Sequence, residues 1–127
     1  MSPSSFLVVF VGAGLGGALR HLVNVAVMRL IGAGFPVHTL TVNVVGSFAM
    51  GVVVACFARV ADPGQTWRLF LATGVLGGFT TFSAFSLDTV VLVERGTPLV
   101  AVAYVLLSVA GSVAALFGGL LVVRLVL

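Results

Sequence analysis

The most unusual segment of this chain is Gly74-Val-Leu-Gly-Gly-Phe-Thr-Thr-Phe-Ser-Ala-Phe-Ser-Leu-Asp88. It lies within an apolar run from Leu69 to Val93, which is long enough to cross a bilayer as a helix. Three glycines, two threonines and two serines nevertheless crowd the stretch. Gly costs about 1 kcal/mol relative to Ala inside a helix, and Thr and Ser compete for the backbone hydrogen bonds. We therefore expect this helix to break near Gly77–Thr81.

A break at this depth has a functional meaning. Backbone groups that are freed from a helix inside a membrane are tolerated only where they are buried in protein or line a polar cavity. The ion-binding sites of transporters are built from broken helices of this kind. The stretch from Gly74 to Asp88 therefore predicts an ion site rather than a plain membrane anchor.

The composition predicts an all-α integral membrane protein. The chain has 127 residues, of which 61% are hydrophobic and 7% are charged, whereas soluble domains carry about 25% charged residues. At about 20 residues for each span, this length fits four helices and no soluble domain. The six basic residues exceed the three acidic ones by a small, dispersed margin, which does not suggest a nucleic-acid partner. The two histidines and the single cysteine show no metal-ligand spacing.

We expect residues 1–127 to form one four-helix transmembrane domain. The four helices are predicted at about residues 5–30, 37–58, 69–93 and 98–124 from their apolar runs. The connections between them are short. Asp62-Pro-Gly64 is a turn signal in the most polar loop, and Thr97-Pro98 reads as the N-cap and first residue of the last helix.

The arginines give little preference for one orientation in the membrane. In the predicted topology, one side holds Arg59, Arg68 and Arg124, and the other holds Arg29 and Arg95. A difference of one arginine is too weak to fix the orientation by the positive-inside rule. We therefore predict that the chain inserts both ways.

The polar residues of the predicted helices lie mainly at one depth. They fall in the half of the membrane nearest the loops that follow the first and third helices, and the other half is almost entirely apolar. The residues of the polar half are Arg20, Asn24, Thr39, Thr41, Asn43, Ser83, Ser86, Asp88, Tyr104 and Ser108. One copy therefore supplies a polar path only halfway across the membrane, and an inverted second copy would supply the other half.

Three motifs carry a resemblance to a known family. Gly12-Ala-Gly-Leu-Gly-Gly-Ala-Leu-Arg20-His21 resembles the first-helix signature GGxxGAxxRY of the Fluc/CrcB fluoride channels. It departs from that signature at Ala13, Gly17 and His21, where Gly, Ala and Tyr are usual.

The other two motifs agree more closely. Thr39-Leu-Thr-Val-Asn43-Val-Val-Gly46-Ser-Phe48 resembles the family's TLxxNxxGxF. Gly74-Val-Leu-Gly-Gly-Phe-Thr-Thr-Phe-Ser-Ala-Phe85 resembles its GxxGGxTTFSTF, with Ala84 in place of Thr, and this motif is the most specific of the three. The chain length and the order of four spans also agree with the family.

The resemblance implies a function and an assembly. It implies a fluoride-selective channel for passive fluoride export and fluoride detoxification, in the inner membrane of a bacterium, and not an enzyme. It further implies an antiparallel, dual-topology homodimer with two pores in the lipid bilayer. A structural sodium ion that is not transported would lie between the subunits.

The resemblance also assigns residue roles by position. Gly77 and Thr80 would offer main-chain oxygens to the sodium ion, and Arg20 would lie in a vestibule. The implied pore-lining residues are Asn43, Phe82, Phe85, Tyr104, Ser108 and Ser112.

The chemistry of these side chains suits fluoride, which is small and strongly hydrated and therefore needs donors to replace water. The Asn43 amide offers two N–H donors, and tyrosine and serine hydroxyls offer one each. The edges of the Phe82 and Phe85 rings carry partial positive charge.

Other interpretations stay open at this point. An intramembrane asparagine can simply join two helices, aromatic residues at helical spacing usually form core, and serines can bond to carbonyls of their own helix. Arg20 could pair with Asp88 instead of attracting an anion.

One alternative function is a small dual-topology proton-coupled exporter of organic cations. It needs a carboxylate in the middle of the membrane. Asp62 and Glu94 are in predicted loops and Asp88 is near a helix end, so the sequence favours the channel. A purely structural subunit would need neither a broken helix nor a polar stripe.

Overall fold

The computed structural model describes residues 2–127, and these form an all-helical protein. Helix α1 is Pro3–Ile31 and α2 is Val37–Arg59. The third span is composite: α3 is Gln65–Arg68, a π-helical segment covers Leu69–Leu76, α4 is Gly77–Phe79 and α5 is Phe82–Glu94. Helix α6 is Pro98–Val126. Within the described residues, four stretches are long and apolar enough to cross a membrane, namely Pro3–Ile31, Val37–Arg59, Gln65–Glu94 and Pro98–Val126.

Short turns join the spans, and local chemistry explains where the helices begin and end. Proline stands in the first turn of α1 and of α6, where its missing N–H leaves no helical hydrogen bond unmade. Gly96 follows α5 with a φ of 78°, a left-handed conformation that favours glycine. The Gly96 N–H donates to Val93 O at 3.0 Å, which closes the helix end.

Helix α1 packs against the first part of the third span by direct backbone contact. A Cβ atom on Gly12 would lie 2.7 Å from the Phe70 carbonyl oxygen and 2.9 Å from the Gly74 Cα. A Cβ atom on Gly16 would overlap the Val75 carbonyl oxygen and would lie 2.8 Å from the Phe79 nitrogen. Only glycine permits this approach, as is common where membrane helices meet through small residues.

Helices α2 and α6 meet through a second pair of glycines. A Cβ atom on Gly51 would overlap the Leu116 carbonyl oxygen, and one on Gly119 would overlap the Phe48 carbonyl oxygen. Both glycines are buried. The two contacts lie in the apolar half of the molecule, so this half is held together by backbone approach rather than by polar side chains.

The outer surface of the molecule is apolar. Large side chains such as Leu30, Leu99 and Phe10 are exposed over 85%, 83% and 77% of their surface. A surface of this kind is stable only against lipid or another apolar surface. A compact side-chain core forms instead between α5 and α6, where Phe85 and Tyr104 are buried.

Candidate functional site

Two consecutive residues of the third span leave the helical conformation. Thr80 has φ −80° and ψ 159°, and Thr81 has φ −154° and ψ 118°, so both are extended. The Thr81 side-chain oxygen accepts a hydrogen bond of 3.1 Å from the Ala84 N–H and caps the start of α5. The Thr80 hydroxyl donates to Leu76 O at 3.0 Å.

Asn43 of α2 supplies the hydrogen bonds that Thr81 lacks within its own helix. The Thr81 N–H donates to Asn43 Oδ1 at 2.8 Å, and Asn43 Nδ2 donates to Thr81 O at 3.0 Å. The two groups therefore pair edge to edge, as two peptide groups would. Because the backbone offers one donor and one acceptor, only one orientation of the Asn43 amide satisfies both bonds.

The Asn43 pairing and the Thr81 cap together free two main-chain carbonyl groups. In a continuous α-helix the Thr81 N–H would donate to Gly77 O, and the Ala84 N–H would donate to Thr80 O. Both amides donate elsewhere, so Gly77 O and Thr80 O lose their helical donors. Arg20 of α1 approaches one of them, with its Nη1 atom 3.5 Å from Thr80 O.

A groove lies beside the two extended residues, with a volume of about 270 Å³. Its walls come from α2, from the region of Thr80 to Phe85 and from α6. The lining residues are Asn43, Ser47, Thr80, Thr81, Phe82, Phe85, Ser108, Val109, Ser112 and Val113. The groove thus combines amide and hydroxyl groups with aromatic rings, and within residues 2–127 no charged side chain lines it.

Comparison with known proteins identifies the family. A family described as "CrcB-like protein, Camphor Resistance (CrcB)" matches residues 7–120, which is most of the chain. The chain belongs to the CrcB family. With four spanning helices, this CrcB-family chain is a multi-pass bacterial membrane protein.

Relatives of this CrcB-family chain carry a functional name. A protein of Methylobacterium nodulans named "Fluoride-specific ion channel FluC" is 56% identical over 118 residues, which cover 93% of this chain and 94% of the relative. A protein of Granulibacter bethesdensis with the same name is 55% identical over 120 residues, covering 94% of each chain. One of Cereibacter sphaeroides with this name is 55% identical over 121 residues, covering 95% of each.

The groove brings together five of the six residues that the sequence indicates as pore-lining. These five are Asn43, Phe82, Phe85, Ser108 and Ser112. The Ser108 hydroxyl is buried and makes no hydrogen bond to the part of the CrcB-family chain that the structure describes.

The two phenylalanines of the groove differ in exposure. Phe82 is 77% exposed, whereas Phe85 is buried. Their ring centroids lie 5.3 Å apart with 49° between the ring planes. The Phe85 ring also lies 5.4 Å from that of Tyr104, so Phe85 is fixed in the core while Phe82 is free on the surface of one chain.

Tyr104 is placed differently from the other five residues. It is fully buried and is not among the residues that line the groove. Its hydroxyl donates to Asp88 Oδ2 at 3.0 Å. Because Arg20 contacts Thr80 O and Asp88 accepts from Tyr104, the structure does not favour the alternative in which Arg20 pairs with Asp88.

Gly77, the other expected main-chain ligand, faces open space. It is exposed, and a Cβ atom built on it meets only the Ala72 carbonyl oxygen, at an ordinary 3.6 Å. Among residues 2–127 no group of three or more His, Cys, Asp or Glu side chains could hold a metal ion.

Sequence reasoning missed four groove residues, namely Ser47, Thr81, Val109 and Val113. Ser47 follows Asn43 by four positions and therefore shares its face of α2, which is a signal that the sequence contained. Thr81 acts mainly through its backbone, and side-chain chemistry gives no sign of that role.

Proposed function

We propose that this chain forms a fluoride-selective channel through which fluoride leaves the cell passively, as a means of fluoride detoxification. The observation that carries the proposal is the groove, in which amide, hydroxyl and ring groups from three spans converge beside two extended residues. Relatives that match almost the whole chain are named as fluoride-specific ion channels, and the family is one of channels rather than enzymes.

Weak donors in series suit the conduction of a small anion. A full positive charge in the groove would bind fluoride too tightly to release it, whereas several neutral donors allow entry and exit. After pairing with Thr81, the Asn43 amide keeps one N–H for the anion. Ser108 and Ser112 follow on one face of α6, since they are four residues apart.

Phe82, Phe85 and Tyr104 complete the proposed path. The partially positive ring edges of the two phenylalanines face an anion in the groove. Tyr104 lies one turn before Ser108 and extends the row of hydroxyl groups. Its O–H would break its hydrogen bond to the Asp88 carboxylate and donate to the passing anion instead. Arg20 supplies positive potential near the groove from its place beside Thr80 O.

We infer that the pore is completed in an antiparallel homodimer. Phe82 is 77% exposed in one chain although its ring belongs to the proposed pore. Gly77 is also exposed, and the nearest atom to a Cβ built on it is 3.6 Å away, which leaves room for a second chain. The polar residues occupy one half of the membrane depth, and an inverted copy would place an equivalent set in the other half.

A structural sodium ion fits the freed main-chain oxygens. Gly77 O and Thr80 O lack helical donors, and each carbonyl oxygen offers two lone pairs, so Arg20 at 3.5 Å leaves one free on Thr80. A monovalent cation suits a set of neutral oxygens, because calcium and magnesium favour carboxylates. When bound, the ion would join the carbonyl groups of two copies electrostatically. In this proposal it is not transported.

The proton-coupled exporter is not favoured. It needs a mid-membrane carboxylate that is free to exchange its proton with a substrate, whereas Asp88 holds the Tyr104 hydroxyl between α5 and α6. The named relatives are channels.

Ion efflux from liposomes tests the proposal. Purified protein is placed in liposomes loaded with potassium fluoride, an ionophore for potassium relieves the membrane potential, and a fluoride electrode records efflux. We expect fast fluoride efflux that needs no pH gradient, and no comparable efflux of chloride. Efflux no faster than from protein-free liposomes would reject a fluoride channel.

The inverted dimer has its own test. Lysines added to the Asp62–Gly64 loop force one orientation by the positive-inside rule. That variant alone should not conduct, and co-expression with an oppositely forced copy should restore conduction. A single forced orientation that conducts by itself would contradict the antiparallel pair.

A further inference from the structure

A second polar cavity lies between the α1–α2 turn and the end of α5, with a volume of about 180 Å³. None of its lining residues lines the groove. They are Met28, Ala33, Gly34, Pro36, His38, Asp88, Val91, Leu92 and Arg95. Three of these side chains, His38, Asp88 and Arg95, are charged or titratable. This cavity, which we call the charged cavity, is therefore unlike the neutral groove.

Tyr104 contacts one residue that lines the groove and one that lines the charged cavity. Phe85 lines the groove, and its ring lies 5.4 Å from the Tyr104 ring. The Tyr104 hydroxyl donates to Asp88 Oδ2 at 3.0 Å, and Asp88 lines the charged cavity. A continuous set of side chains thus joins the two spaces.

His38 is a side chain of this cavity that neither the groove nor the sequence motifs explain. Its Nδ1 atom is buried and makes no hydrogen bond to any described residue. A buried polar atom without a partner is costly, which marks the site as one that an ion or water completes. Histidine is also the side chain that changes charge between about pH 5 and 8.

The charges around His38 are few. Asp88, which lies on α5, and Arg95, the residue after α5, line the same cavity as His38. The lining residues from the α1–α2 turn are all uncharged. Helix α6 acts on the cavity through Tyr104, by way of Asp88. With a neutral His38 the formal charges of Asp88 and Arg95 cancel. Protonation of His38 leaves the cavity with a net charge of +1.

We propose that the charged cavity is an anion-binding mouth of the conduction path, and that protonation of His38 raises its occupancy by fluoride. The inference rests on the proposed channel function. The anion binds between the imidazolium of His38 and the guanidinium of Arg95 and then passes to the Tyr104 hydroxyl. The proton stays on His38, and no covalent bond forms or breaks.

Fluoride efflux at two pH values tests this mouth. Both sides of the liposome are held at the same pH, at about 5.5 or about 7.5, so that the pH changes without a proton gradient. Fluoride is kept below saturation, and leakage from protein-free liposomes is subtracted. Efflux should be roughly threefold to tenfold faster at the lower pH, as expected for one added charge acting through a partly hydrated space.

Variants of His38 test whether this side chain causes the faster efflux at the lower pH. His38→Gln should remove the pH response and hold efflux at the slow level, whereas His38→Arg should hold it at the fast level at both pH values. His21→Gln is the matched control, since it alters the other of the two histidines, which is exposed on α1. It should leave the response intact. Arg95→Gln should slow efflux at both pH values and preserve their ratio.

The outcomes separate the two claims. If the unaltered protein conducts equally at both pH values, or if His38→Gln keeps the pH response, the proposed anion-binding mouth is rejected. The proposed channel function is not contradicted by that result. If the unaltered protein conducts at neither pH, the channel itself is rejected. Size-exclusion elution of each variant shows that it is folded, and Arg95→Gln carries the test if the His38 variants are not.

Discussion

The two halves of the third span pack in opposite ways. Its first half meets α1 through backbone atoms, with Gly12 against Gly74 and Gly16 against the Val75–Phe79 region. Its second half, α5, meets α6 through side chains, with the Phe85 and Tyr104 rings tilted by 40° and their centroids 5.4 Å apart. Two extended residues, Thr80 and Thr81, separate these halves.

This difference separates scaffold from site. Backbone contact through glycine leaves no space for an ion, and it holds the first half of the span in a fixed position. Contact through side chains leaves the groove and the charged cavity, which both have walls from the second half. Substitutions at the glycines of the first half that face α1, such as Gly74 and Gly78, should therefore affect folding, and those in the second half should affect conduction.

The largest effect is expected from Gly16→Val. The new Cβ atom would overlap the Val75 carbonyl oxygen, and backbone atoms cannot rotate away. The loss of stability should be about 3 kcal/mol, the upper end of the usual cost of overpacking. Gly17→Val is the matched control, because nothing lies within 4 Å of its Cβ position. The yield and thermal midpoint of purified protein measure both. Equal yields would contradict the backbone contact.

Asn43→Asp should abolish fluoride efflux. One carboxylate oxygen can still accept the Thr81 N–H, but the other would face Thr81 O, where Asn43 Nδ2 donates at 3.0 Å. The change also adds a negative charge to the groove. Normal efflux from folded, dimeric Asn43→Asp protein would show that the pore lies elsewhere.

Thr81→Ala is the contrast to Asn43→Asp, because Asn43 pairs with the Thr81 backbone and not with its side chain. It removes the cap on α5 and the 3.2 Å hydrogen bond between the Thr81 and Ser83 hydroxyls, so it should cost about 1 kcal/mol of stability and leave efflux largely unchanged. Thermal unfolding and liposome efflux measure these two effects separately.

Gly77→Val tests whether the exposed surface at Gly77 contacts a second copy of the chain. The nearest atom to a Cβ at this position is 3.6 Å away, so the isolated chain should tolerate the change. Damage would then arise from the second copy and the proposed sodium ion. We expect normal helix content by circular dichroism but loss of the dimer and of efflux.

Thr80→Ser is the milder partner of that variant, because it keeps both the main-chain oxygen and the hydroxyl that donates to Leu76 O. Dimerisation and efflux should remain close to those of the unaltered protein. Equal damage from Gly77→Val and Thr80→Ser would argue against main-chain ligation of a cation.

A partial loss of efflux is expected from Phe82→Ile and Phe85→Ile. Each keeps an apolar side chain and removes the partially positive ring edge, so efflux should fall several-fold while the dimer persists. Phe85 is buried, and its replacement should also cost about 1 kcal/mol. A drop in stability without any change in efflux would assign both rings to packing alone.

Long apolar runs made the four spans predictable from the sequence, because a bilayer requires about 20 apolar residues for each crossing. The position of Asn43 beside the third span followed from a motif. The hydrogen-bond partner of Asn43 could not be predicted in this way, because Asn43 pairs with the backbone of Thr81. Every residue has the same backbone groups, so the residue type gives no sign of such a bond.

Some contacts depend on how the helices pack against each other and could not be predicted from the sequence. Tyr104 is 16 residues from Asp88, and their hydrogen bond depends on how α5 and α6 align after the turn at Gly96. Gly74 and Gly78 face α1, whereas Gly77 faces outward. Residues four apart share a helix face, so the spacing of the three glycines predicts that Gly74 and Gly78 face the same way and Gly77 does not. The composition of the motif alone does not predict this difference.

The pairing of Asn43 with Thr81 has a consequence for gating. Sliding of α2 along the third span would break two hydrogen bonds at once and leave an amide and a peptide group unsatisfied in an apolar interior. Each unsatisfied group costs about 1–3 kcal/mol, so such a motion is strongly disfavoured. The helices on either side of the groove are thereby held in register. In the proposed channel, control of ion flow would fall to side chains that can rotate in place, such as the exposed ring of Phe82.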